Sequence, residues 1–141
     1  MKTIYEIINQ NPVFLNDFDS KDNVIREFAG ERWGWDEEKE DYFIETHKNT
    51  NILFASYGCA NYSGDAWVLF EQNGELYEVN GNHCSCFGLE GQWDSEKVSL
   101  KELEHRLLEG TFGEDDWSDN NFKKELCEFL GVEYVENLDK W

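Results

Sequence analysis

Proline is almost missing from this chain: Pro12 is the only one among 141 residues. There is also no low-complexity stretch and no internal repeat. Linkers and repeat arrays are therefore not expected, and residues 1–141 read as a single acidic domain. Basic side chains are scarce. Twelve Lys and Arg stand against 31 Asp and Glu, for a net charge of −19. Such a chain repels phosphate, so direct binding to DNA, RNA or an anionic membrane is not expected. No basic patch interleaved with aromatics appears either. Long apolar runs are missing: nothing approaches the ~18 apolar residues of a membrane span, and no early run resembles a signal peptide. A cytoplasmic location is the expectation. The four cysteines are then expected to be reduced, serving as core residues, metal ligands or nucleophiles but not as disulfides. Phosphate loops, dinucleotide fingerprints and nucleophile elbows are absent, which removes the best-marked enzyme classes.

What is present is material for a core. Leu, Ile, Val and Phe make up 35 of the 141 residues, joined by six Trp and six Tyr. That exceeds what a disordered acidic chain carries, and the length buries a core without disulfide help. The charge then acts in one of two ways. It is a solubility coat, or it draws the chain to basic partners, including grooves that normally hold nucleic acid.

Hydrophobic spacing places helices at both ends and strands between. Ile4, Ile7 and Ile8 recur at helical spacing. Ser20 is suited to cap a second helix with Ile25 and Phe28 inward, and Gly30 to end it. Residues 31–50, which carry Trp33, Trp35 and a run of acids, read as a loop or short helix. Residues 52–57 read as a strand. Asn73-Gly74 between residues 66–71 and 75–80 is a strong hairpin signal. That turn sets Phe70 opposite Tyr77 and Val68 opposite Val79 on a core-facing side, and leaves Trp67, Leu69, Leu76 and Glu78 on a mixed, partly covered side. Ser99 to Glu102 has the form of a capping box, followed by Leu103, Leu107 and a terminal Gly110. Ser118 is placed to cap a last helix that turns Phe122, Leu126, Phe129 and Leu130 inward and stops at Gly131. The expected class is α+β: an antiparallel meander of three to four strands flanked by N- and C-terminal helices.

The densest chemistry follows the hairpin, at Asn82-His83-Cys84-Ser85-Cys86. Soft sulfur ligands beside an imidazole suit zinc. Cys59 reaches the same place if those strands are neighbours. Cys59, His83, Cys84 and Cys86 then make a closed Cys3His site, with a structural zinc as cofactor. The spacing is not that of a standard finger, and adjacent His83 and Cys84 point oppositely in a regular strand, so the chain must bend there. The other readings are plain burial of small apolar cysteines and a reactive Cys-His pair. The last wants positive charge near the thiol, which this chain supplies sparingly. Cys127 falls on the apolar side of the last helix and reads as core.

Two acid clusters sit beside tryptophan. Trp35, Asp36, Glu37, Glu38, Glu40 and Asp41 form one; Glu114, Asp115, Asp116 and Trp117 form the other. Carboxylates spaced along a surface imitate a phosphate backbone, and tryptophans supply anchors. The alternative is a solvated face over partly buried tryptophans. Asp65 reads as a turn residue.

The block from Tyr62 to Phe70 together with Gly81 to Trp93, including His83-Cys84-Ser85-Cys86-Phe87-Gly88-Leu89-Glu90-Gly91-Gln92-Trp93, resembles a family of small acidic proteins encoded by phages and prophages. The two stretches lie within residues 62–93, a span of about a quarter of the chain. That family carries no activity to transfer. The whole resembles anti-CRISPR proteins that act on type II RNA-guided nucleases, which hold nucleic acid in a positively charged channel. The resemblance implies a non-enzymatic inhibitor inside the host cell, whose partner is a host protein with a basic nucleic-acid-binding surface, and which impedes DNA loading. Two other functions fit the residues: a zinc- or cysteine-dependent enzyme centred on His83, Cys84 and Cys86, and a phage structural or assembly factor.

Overall fold

Asn73 and Gly74 adopt positive φ angles of 56° and 80°, as a two-residue hairpin turn requires, and the sheet is organised around them. The computed structural model of the chain describes residues 1–29, 37–60, 62–84, 88–114 and 120–134. The turn joins β3 (Gly64–Gln72) to β4 (Glu75–His83). Phe70 pairs with Tyr77 and Val68 with Val79, as the turn dictates. Strand β2 (Asn51–Tyr57) runs antiparallel to β3. Two further strands extend the sheet, so that it has five in the order β1-β2-β3-β4-β5. Strand β1 (Val13–Asn16) lies parallel to β2, and β5 (Ser95–Val98) lies antiparallel to β4. The chain is an α+β protein with a β2–β5 antiparallel meander and one parallel edge.

Helices cover both faces. On one face, α1 (Ile4–Ile8), α4 (Leu100–Glu109) and α5 (Lys123–Leu130) enclose Leu53, Phe54, Trp67, Leu69 and Leu76. On the other, α2 (Lys21–Phe28) packs Val24, Ile25 and Phe28 over Ile52, Val68 and Val79. Helix α3 (Glu37–His47) sits beside α2, with Phe43 and Ile44 against the same cluster. The side of the hairpin expected to be partly covered is in fact closed: Trp67 is 2 % exposed and Leu69 0 %. A β-bulge between Ile52 and Phe54 explains why neighbours Leu53 and Phe54 enter the same core, where a regular strand would part them. Burying each large side chain contributes about 1.5–3 kcal/mol.

Local signals account for the helix starts. Ser20 accepts from the Asn23 amide, and Ser99 from the Glu102 amide. The Ser99 cap is half a capping box, because the Glu102 carboxylate turns to Arg106 at 2.9 Å. A complete box forms at Thr3 and Glu6. Helix α5 starts at Lys123 with Phe122 at the cap position and no side-chain cap bond. It begins too late for Ser118 to cap it; Ser118 lies outside the described residues, as does Gly30. Gly131 ends α5 at φ +76°, a conformation that favours glycine. Residues 37–47 form eleven residues of helix, beyond the loop or short helix expected there.

Candidate functional site: the His83 end of the sheet and the acidic helix

His83 closes β4 opposite Gly64. Its Nε2 lies 3.0 Å from the Gly58 carbonyl oxygen. A carbonyl only accepts, so Nε2 carries the proton and donates. The contact crosses over β3, and Gly64 allows it. A Cβ at that position would sit 2.0 Å from the Gly58 oxygen and 2.7 Å from Nε2. The ring packs against Tyr57 with centroids 4.6 Å apart and is 9 % exposed. The imidazole thereby ties the ends of β2 and β4 together across the strand between them.

This brings Cys59, which follows Gly58 directly, and Cys84, which follows His83, to the same end of the sheet. Cys59 is exposed and Cys84 half-buried, while Cys86 lies outside the described residues. Among the described residues no three His, Cys, Asp or Glu side chains converge on a point that holds a metal. With Nε2 committed to Gly58, a metal at His83 would be ligated through Nδ1. Cys127 is buried in the core, and burial pushes its thiol pKa up, with Lys123 pulling weakly the other way.

The surroundings are negative. Burial raises the Glu27 carboxyl, Glu90 raises it further, and His83 pulls it down. Burial, then Glu27, Cys59, Asp17 and Glu90, push the Tyr57 phenol up to about 12. Oε2 of Glu90 is buried with no hydrogen-bond partner. A nucleophilic cysteine is activated by neighbouring cations or a helix N-terminus; Cys59 follows β2 and is exposed.

Helix α3 is different in character. None of its residues is fully buried. Glu37, Glu38 and Asp41 are exposed and Glu40 half-buried, and Tyr42 beside them is 76 % exposed. Acids in the first turn suit the positive end of a helix, so the same carboxylates stabilise the helix and display charge. Trp35 and Asp36 lie outside the described residues, as do Asp115, Asp116 and Trp117. Glu114 is described: its side chain is 17 % exposed and lies 3.3 Å from Lys123, itself 4 % exposed. It belongs to a packed ion pair more than to a solvated face. Asp65 pairs with Asn82 across β3 and β4, and its carbonyl accepts from the Gly58 amide at 2.9 Å.

Two polar clusters had no sequence signal. Glu78, 4 % exposed, accepts from Trp67 Nε1 and from both terminal nitrogens of Arg106, each at 2.9 Å. Ser56 donates to Asn120 at 2.5 Å, and Asn16 donates to Ser56 at 2.7 Å. Both clusters join the sheet to the C-terminal elements. No helix among the described residues is long and apolar enough to cross a membrane. No family model, curated protein or solved structure matches the chain.

Proposed function

We propose that the chain is a non-catalytic binding protein that docks its acidic surface on a basic, nucleic-acid-binding surface of another protein. The observation that carries the reading is α3: eleven residues of helix with none fully buried, presenting Glu37, Glu38 and Asp41 around an exposed Tyr42. A helix that commits so little of itself to its own core leaves its outer face for a partner. Carboxylates one turn apart on the helix, such as Glu37 and Asp41, repeat at ~5.4 Å. A net charge of −19 steers such a face toward cations.

Taken with the resemblance to phage-encoded proteins, the reading becomes specific. The protein is an inhibitor of a host defence nuclease of the anti-CRISPR type, acting in the host cytoplasm. It occupies the basic channel and impedes DNA loading. Zinc, held by Cys59, Cys84, Cys86 and Nδ1 of His83, would be structural, stapling the end of the sheet.

The test uses a type II RNA-guided nuclease loaded with its guide RNA. DNA binding by that complex is measured as the chain is added. Expected is a loss of binding that is complete near one chain per nuclease and does not advance with time. Unchanged DNA binding rejects this target. Progressive inactivation by a small fraction of the chain points instead to an enzyme built around His83, Cys84 and Cys86.

A further inference from the structure

A cleft of about 480 Å³ opens where α3 ends, β2 begins and the β3–β4 hairpin turns. That volume is within the range of small-ligand sites. Its inner wall is aromatic. Phe70 and Trp93 stack with centroids 5.4 Å apart and planes 25° from parallel, and His47 lies 5.1 Å from Trp93. Its rim is made of carboxamides and hydroxyls, among them Asn49, Asn51, Gln72 and Thr50.

The charge of this lining departs from that of the chain. Among the described residues, Glu71 is its one carboxylate, and no Lys or Arg lines it. Both Glu71 oxygens are engaged: Asn51 Nδ2 donates to one at 3.0 Å, and the Gly74 amide donates to the other at 2.8 Å. Burial pushes the His47 pKa down, so the imidazole is neutral at physiological pH. Its Nδ1 lies 3.2 Å from the Thr50 hydroxyl.

Part of the rim is held in place. Asn51 pairs with Glu71 across β2 and β3, and its side chain donates to the Glu71 carboxylate. The Thr50 amide is fixed to the His47 carbonyl at 3.0 Å. Preorganised amides and hydroxyls spare a ligand the cost of ordering them.

We infer that this cleft binds a neutral saccharide. Carboxamides offer a donor and an acceptor side by side, which matches vicinal hydroxyls. Phe70 is covered on its two faces by Tyr77 and Trp93, so it is the half-buried Trp93 ring, lining the cleft, that offers apolar surface to the C–H face of a sugar. Other ligand classes fit less well. A nucleotide brings phosphate into the field of a −19 chain. An amino acid zwitterion needs charged anchors, and none stands unengaged here. The inference is independent of the docking role proposed for the acidic turns at the other end of α3.

The test is an amide-resolved NMR titration of the isotopically labelled full chain. The probes are glucose, galactose, N-acetylglucosamine and their β-linked disaccharides, with uridine as a neutral, base-bearing control. Expected are shifts confined to residues 46–51, 70–73 and 93–95 with at least one saccharide at about 50 mM or below, the millimolar affinity of a small open site. Asn49→Ala with Gln72→Ala, both exposed positions, is expected to weaken binding at least ~10-fold without changing the melting temperature. Three results overturn the inference: no saccharide moves these amides, uridine occupies the cleft and saccharides do not, or the double variant binds as tightly as the wild type.

Discussion

Arg106 is the perturbation whose cost the geometry defines best. Its two terminal nitrogens hold both oxygens of Glu78 at 2.9 Å, and Glu78 is 4 % exposed against 30 % for the Arg106 side chain. Arg106→Met keeps the aliphatic stem and removes the charge, leaving Glu78 with Trp67 Nε1 and the Asn80 side chain as neutral donors. Breaking a fully buried pair from one side costs about 3–5 kcal/mol. Because Arg106 is partly open to water, screening reduces this to about 2–3 kcal/mol. For a chain of this size that lowers Tm by roughly 6–12 °C. Burial pushes the Glu78 carboxyl up, but the hydrogen bonds from Arg106 and Trp67 outweigh it and the pKa ends below its ordinary value. A depressed carboxyl stabilises the fold fully above its unfolded pKa, near 4.3, and that contribution is lost as pH falls through the folded value. The gap between wild type and Arg106→Met should therefore be full at pH 7 and narrow below about pH 4. Adding Glu78→Gln should recover part of the loss, since a neutral amide no longer needs the cation. Urea unfolding monitored by tryptophan fluorescence measures all of this. A single variant within about 0.5 kcal/mol of wild type at pH 7 would refute the reasoning.

Gly64→Ala should destabilise the fold by about 1–3 kcal/mol, because its Cβ meets the Gly58 carbonyl, which no rotamer change moves away; an unfolding midpoint equal to that of wild type contradicts this. Burial lowers the His47 pKa, so below about pH 6.5 the unfolded chain takes up a proton that the folded chain resists. Stability should fall as pH drops through that window, and His47→Phe should flatten the slope in pH-dependent urea melts; an unchanged slope rejects the assignment. Zinc at about one ion per chain is expected in protein purified without added metal, with chelation lowering Tm. Elemental analysis reading near zero, or metal content unaltered in Cys84→Ala, removes the zinc site.

The hairpin was legible because one dipeptide sets its register. Once Asn73-Gly74 turns the chain, the period of two assigns every side chain from Trp67 to Val79 to a face. Helices α2 and α4 were legible for a similar reason, a serine cap followed by apolar residues at helical spacing. Strands β1 and β5 were not. Each has four residues, and Ser-Glu-Lys-Val carries no apolar alternation; pairing to an existing edge makes them strands. The burial of Trp67 was underestimated because Glu78 shares its face, and the cation that neutralises Glu78 comes from α4, 28 residues later. At the candidate site, the strands expected to bring Cys59 toward His83 are not neighbours; Gly58, before Cys59, instead meets His83 through a side-chain contact. Beta2 and β4 are not adjacent in the sheet, and the contact passes over β3 at a glycine that has no special backbone angle to announce it. The tie between Asn16, Ser56 and Asn120 joins side chains too far apart in sequence for any local pattern to expose.

The central claim is that the acidic face of α3 is a docking surface and not only a solubility coat. The measurement that bears on it most directly is the association rate of the chain with an immobilised guide-loaded type II nuclease, taken across ionic strength. Wild type is compared with the Glu37→Gln, Glu38→Gln, Asp41→Asn variant. Steering between exposed charges weakens as the screening length shrinks from about 30 Å at 0.01 M salt to about 8 Å at 0.15 M. The account predicts a wild-type rate that falls steeply over that range, and a variant that starts slower and depends less on salt, with its Tm within a few degrees of wild type. Equal rates and equal salt dependence for the two proteins would contradict it.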